Sequence, residues 1–160
     1  MRYFWPFIFL FSSYAIAENS SFREPFVLQL PMDDKNYYEQ KFEKIPFVYE
    51  NTVLLFNNEK FGINIKLSEN GKFDIVYEKD SEKADVSLSF SQITLDKNLM
   101  MMLEIKNNTK KTLTMEGLMT VPSKKGVKPT SIIPISPGLS SFESWPHPIV
   151  QLALKNIQLK

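Results

Sequence analysis

From residue 53 onward the apolar residues of this chain recur at every second position, and that period limits the fold more than any other feature. Phe61, Ile63, Ile65 and Leu67 share one face of an extended run; after Glu69-Asn70-Gly71-Lys72, Phe73, Ile75 and Tyr77 alternate in return. Side chains two apart point to the same side of a strand, so such runs bury one face and wet the other. Asn70-Gly71 between them predicts a hairpin, because both residues tolerate the positive φ of a type I′ turn.

The same reading extends along the chain. Phe26–Leu30 predicts a first strand, stopped by Pro31, and Val53–Phe56 leads into the turn Asn57-Asn58-Glu59-Lys60. Val86, Leu88 and Phe90, continuing to Ile93 and Leu95, predict a strand bent by a bulge where the phase slips. Leu99–Lys106, Leu113–Val121 and Ile149–Leu159 complete the set. One segment, Asp33–Lys44, looks helical: Asp33 and Asp34 suit a helix start, and Tyr38, Phe42 and Ile45 fall on one helical face. Short strands at about ten-residue spacing predict an all-β chain, a single antiparallel β-sandwich of about seven to nine strands. One short helix would precede it. The run Leu103-Glu104-Ile105-Lys106-Asn107-Asn108-Thr109-Lys110-Lys111-Thr112-Leu113 resembles, as strand, polar turn and strand, the immunoglobulin-like sandwiches of bacterial exported proteins. That resemblance implies an immunoglobulin-like sandwich over residues 26–160.

The first residues follow different rules. Arg2 precedes an almost wholly apolar run from Tyr3 to Phe11, and Ala15-Ile16-Ala17 supplies small residues at an A-x-A position. This is the organisation of a cleavable signal peptide over residues 1–17, with cleavage after Ala17. A membrane-spanning helix needs roughly 20 apolar residues, and Glu18-Asn19 closes the run first. No later segment approaches that length, so no transmembrane segment is expected after cleavage. Residues 18–25 then read as a flexible polar leader, and the protein as periplasmic or secreted.

Composition narrows the chemistry. Cleavage removes Arg2 and no acid, leaving 18 basic and 18 acidic side chains. Residues 18–85 carry 9 basic and 14 acidic groups, residues 86–160 carry 9 and 4. Lys106, Lys110, Lys111, Lys124, Lys125 and Lys128 dominate the positive half, as expected of solvated loops and guarded strand edges. No arginine follows Arg23, no glycine-rich phosphate loop occurs and no basic–aromatic stripe is present, so nucleic acid is not an expected partner. With no cysteine, disulfides, thiol catalysis and thiolate metal sites are excluded.

Three functional readings remain. The first is a non-enzymatic binding or accessory module without a cofactor, for a protein or envelope-component partner. Its contact surface would be the proline-restricted segment from Pro134 to Ile149. There Pro137-Gly138 suits a type II turn, and Phe142, Trp145, Pro146 and His147 would meet the partner. The second is copper handling: thioethers and one imidazole suit cuprous ion, and Met100, Met102, Met115, Met119 and His147 are the candidates. The third is a hydrolase built around His147, drawing on Ser140, Ser141, Glu143 or Ser144, although no Gly-x-Ser-x-Gly motif is present.

Overall fold

In the computed structural model residues 21–122 and 124–160 are described; the expected signal peptide and its cleavage point, with residues 18–20, lie outside them. Among the described residues the first elements of the chain are β1 (Phe22–Arg23), β2 (Phe26–Pro31), β3 (Tyr37–Phe42), β4 (Ile45–Pro46) and β5 (Val48–Tyr49). β6 (Thr52–Leu55), β7 (Glu59–Leu67) and β8 (Phe73–Glu78) follow, then a single 3-10 turn at Ser81–Lys83. β9 (Val86–Leu95), β10 (Asn98–Asn107), β11 (Leu113–Thr120), β12 (Val127–Thr130), β13 (Ser140–Trp145) and β14 (Gln151–Leu159) complete it. Two five-stranded sheets form a β-sandwich, one ordered β13-β10-β9-β7-β8 and the other β12-β11-β14-β6-β5. Every pairing is antiparallel. The sandwich therefore has ten strands in its main sheets, more than expected, because β5, β12 and β13 carry no apolar alternation of their own.

Alternation fills the space between the sheets. Phe61 and Ile63 of β7, Val86, Leu88 and Phe90 of β9, and Met101, Leu103 and Ile105 of β10 are buried from one side. Val53 and Leu55 of β6, Leu113 and Met115 of β11, and Leu152 and Leu154 of β14 are buried from the other. The bulge expected in residues 86–95 is absent: β9 pairs β10 without a register shift, and the slipped residue Leu95 simply stands in solvent. The irregularity lies between β11 and β14, where Asn156 takes a φ of 52°.

The expected hairpin forms between β7 and β8, but its turn is longer than type I′. Ser68 N–H reaches Lys72 O at 2.8 Å and Gly71 N–H reaches Ser68 O at 2.9 Å, with Gly71 at φ 77°. Paired positive φ values occur instead at Glu50-Asn51 and Asp96-Lys97, which close β5–β6 and β9–β10 as two-residue turns.

The helix expected over Asp33–Lys44 is not formed. Asp33 Oδ1 accepts the backbone N–H groups of Lys35 and Asn36 at 2.8 and 2.9 Å, turning the chain so that β3 pairs β2. The Asn36 side-chain amide, then those N–H groups, hold the Asp33 carboxyl below the usual range. Tyr38 and Phe42 are four apart, a spacing that a strand shares with a helix, and the pairing with β2 decides for the strand. Phe42 stacks on Phe26 at 5.2 Å and meets Phe56 at 4.9 Å.

Residues 22–23, which fall in the expected leader, form β1. β1 pairs β4, and Arg23 is 7% exposed. Its Nε and Nη2 donate to the two Glu59 carboxylate oxygens at 2.5 and 2.7 Å, while Nη1 and Nη2 donate to the carbonyls of Pro46 and Leu54. The guanidinium lies 4.0 Å from the Phe47 ring centre and 5.0 Å from that of Phe56. Glu59 also accepts the Phe56 N–H at 2.8 Å. Phe47 stacks in turn on Tyr77 at 4.1 Å; burial, aided by Glu59 and Glu78 against Arg23, raises the Tyr77 phenol pKa.

Candidate functional site

The segment singled out in the sequence enters the fold as β13, an edge strand. Pro137-Gly138 forms the expected turn: Leu139 N–H meets Ser136 O at 3.2 Å and Gly138 has φ 73°. The turn is locked to β10 by two backbone bonds of 2.9 Å, Asn107 N–H to Leu139 O and Gly138 N–H to Asn107 O. Asn107 is fully buried, and its side-chain amide donates to the carbonyls of Lys111 and Ile135. Its Oδ1 accepts from the backbone and hydroxyl of Thr109. The sequence shows Asn107 as one more turn residue; its role depends on Ile135, 28 positions away.

From this clamp β13 runs antiparallel to β10, with Ser140 opposite Lys106 and Trp145 opposite Met101. Ser141, Glu143 and Trp145 face the sandwich interior; Ser140, Phe142 and Ser144 face out. The four expected contact residues are thereby divided. Phe142 is 62% exposed and Pro146 is exposed. Trp145 is 8% exposed, its ring edge-on to Phe90 and its indole N–H donating to Thr130 Oγ1 of β12 at 2.9 Å. It therefore plugs the gap between the sheets and offers little surface to a partner. His147 is half-buried, with Nδ1 3.2 Å from Pro148 O. Leu139, within the expected segment, and Ile133, just outside it, are 58% and 60% exposed beside this strand.

The edges of the two main sheets differ in how they are closed. β5 is two residues long, and β12 carries Lys128 and Pro129, the residues that discourage strand addition. On β8 the Ile75 N–H is capped by Asn51 Oδ1 at 2.9 Å. β13 has six residues with no lysine, no proline and no register shift. Among the described residues, no hydrogen bond reaches its backbone from any strand except β10.

The other constellations are not brought together. On β10 the core face is Met101, Leu103 and Ile105, which puts half-buried Met100 and Met102 on the outer face of that sheet. Met115 and Met119 belong to β11 and pack against the core from the opposite sheet. The five proposed copper ligands therefore do not share one surface. Met100 and Met32 line a cleft of about 440 Å³ with Asp33, Lys97, Pro146 and Pro148. Among the described residues no group of three histidines or carboxylates is placed to hold a metal ion.

Among the described residues no serine–histidine–acid arrangement forms around His147. Glu143 accepts the Ile133 N–H at 3.2 Å and faces Ser141 Oγ at 3.5 Å, while His147 is turned to its own neighbour's carbonyl. The lysines separate: Lys106, Lys110 and Lys111 lie at one end of β11, Lys124, Lys125 and Lys128 at the other. An eight-residue strand spans about 25 Å. No helix among the described residues is long and apolar enough to cross a membrane. No protein-family model, curated protein or solved structure matches the chain.

Proposed function

We propose that this chain is an exported, non-enzymatic binding or accessory module of immunoglobulin-like type, acting in the periplasm or outside the cell. It meets a protein or envelope component at the β13 edge. One observation carries the reading: β13 is a six-residue edge strand without lysine, proline or register shift, carrying exposed Phe142 and flanked by exposed Leu139 and Ile133. Natural sheets blunt such edges unless something pairs with them, and an extended partner strand gains affinity from backbone bonds and specificity from side-chain neighbours. The turn at Pro137-Gly138 and the Asn107 clamp fix the strand beforehand, which lowers the ordering cost of binding.

The test is photo-crosslinking of the full chain in a bacterial host. A benzophenone side chain at Phe142 is expected to give discrete adducts, whereas one at Tyr37, 67% exposed on β3, is not. Equal adducts at both positions, or none at Phe142, defeat the surface assignment. In the same cells the recovered protein is expected to begin at Glu18; an N-terminus at Met1 defeats the export reading.

A further inference from the structure

Resting on that reading of the edge, we infer that the partner at β13 is a second copy of this chain. The two β13 strands would pair antiparallel about a two-fold axis through Phe142 and join two five-stranded sheets into one. The phase of the ladder supports this. Asn107 N–H bonds Leu139 O, so Asn107 and Leu139 occupy a hydrogen-bonded position. Such positions alternate along an antiparallel pair. With Lys106 opposite Ser140, the backbone groups of Ser141, Glu143 and Trp145 then turn toward β10. Those of Ser140, Phe142 and Ser144 turn outward, where no other strand meets them.

A symmetric partner must match outward groups to outward groups, which confines the axis to a residue rather than between two. Centred on Phe142, the pairing sets Phe142 against Phe142 and Ser140 against Ser144, and every outward amide and carbonyl on both strands finds a partner. Moving the axis to Ser141 or Glu143 leaves one of the three residues unpaired, and the second choice also places Glu143 opposite its own copy. The side chains agree with the first choice. The outward face reads Ser-Phe-Ser, the same in both directions about Phe142. On the inner face a hydroxyl, Ser141, comes opposite a carboxylate, Glu143, and exposed Leu139, just before the strand, comes level with Trp145. An aromatic pair at the centre with no like charges opposed is the favourable cross-strand pattern.

The chain contains no cysteine, which makes the register directly testable. Paired Cα atoms at a hydrogen-bonded position lie about 5.5 Å apart, within disulfide reach. In the full chain under mild oxidation, Phe142→Cys is expected to form disulfide dimers at least tenfold faster than Tyr37→Cys. Ser140→Cys and Ser144→Cys should each give no disulfide-linked dimer alone and cross-link when mixed. Phe142→Lys, a change at an exposed side chain, is expected to convert a sedimenting dimer to monomer without altering circular dichroism. Equal cross-linking rates at residues 142 and 37, or a wild-type chain that sediments as monomer at about 100 µM, overturn self-pairing. In that event, heterologous photo-adducts at Phe142 would leave the binding reading standing; their absence would remove both.

Discussion

Glu59→Ala is the substitution whose cost the structure fixes most tightly. The Arg23 and Glu59 side chains are 6% and 18% exposed, and the carboxylate takes both Nε and Nη2 of the guanidinium as well as the Phe56 N–H. Truncation leaves a buried cation with the Pro46 and Leu54 carbonyls and the rings of Phe47, Phe56 and Phe61 but no counter-charge. Breaking a buried pair from one side costs about 3–5 kcal/mol. Two charge-assisted bonds at about 1.5–3 kcal/mol each give about 3–6 kcal/mol, which overlaps that range. The residual exposure of Glu59 lets some water replace it, so the lower end, about 3 kcal/mol, is expected. For a domain of this size that corresponds to a fall in Tm of about 6–12 °C, and a considerable part of a total stability of about 5–15 kcal/mol.

The assay is urea unfolding followed by tryptophan fluorescence, with Lys60→Ala as control. Lys60 and Glu82 lie 4.0 Å apart with side chains 65% and 75% exposed, and their loss is expected to leave the midpoint where it was. A double-mutant cycle makes the cause explicit. Once Arg23 is Met, removing Glu59 should cost far less than it does in the wild type. A Glu59→Ala midpoint no lower than that of Lys60→Ala, or full additivity with Arg23→Met, would refute the account of a buried, coupled pair.

Trp145→Phe keeps an aromatic plug but loses the hydrogen bond to Thr130 Oγ1. A loss of about 1 kcal/mol is expected in urea unfolding followed by circular dichroism, since the exported chain keeps no other tryptophan, with photo-adducts at Phe142 unchanged; abolished adducts would show that Trp145 itself meets the partner. Tyr77 gives the pH dependence. Burial raises its folded pKa above the unfolded value, so the fold holds the proton more tightly. Its contribution is complete below the ordinary tyrosine pKa of about 10 and is lost as pH rises through the folded value. The urea midpoint should fall in that window, and fall less in Tyr77→Phe; parallel pH profiles for the two proteins would contradict the shift.

The parts of the fold legible in the sequence are those whose evidence is local. Phe61–Leu67 and Phe73–Tyr77 alternate over enough residues to exclude a helix, and the polar turn between them forces the reversal. The segment Tyr38–Phe42 misleads because a spacing of four satisfies both periods, and the deciding interactions, with Phe26 and Phe56, come from 16 and 14 positions away. Arg23 looks like a leader residue because its partner Glu59 is 36 positions distant. At the candidate site one signal was available in the numbering itself. Phe142 and Trp145 are three apart, so in any strand one must face in when the other faces out. What the sequence hides is that this stretch is a strand at all, since Ser, Glu and flanking prolines give it no apolar period.

The two flanks of the sandwich are closed in different ways, and the difference bears on which of them can accept a partner. On the β8 flank, closure uses the backbone: Asn51 caps the Ile75 N–H of the edge strand. A strand adding there would have to displace a native bond. On the β13 flank, closure is made by inward side chains, Trp145 to Thr130 Oγ1 and Glu143 to the Ile133 N–H, while the outward backbone of Ser140, Phe142 and Ser144 stays uncommitted. Strand addition at that flank breaks no native hydrogen bond and requires no movement of the core. Its cost is therefore confined to desolvating the edge and losing the partner's freedom. That is the physical basis for placing the interaction at β13, rather than at the more polar cleft of about 550 Å³ around Lys72, Lys155 and Asn156.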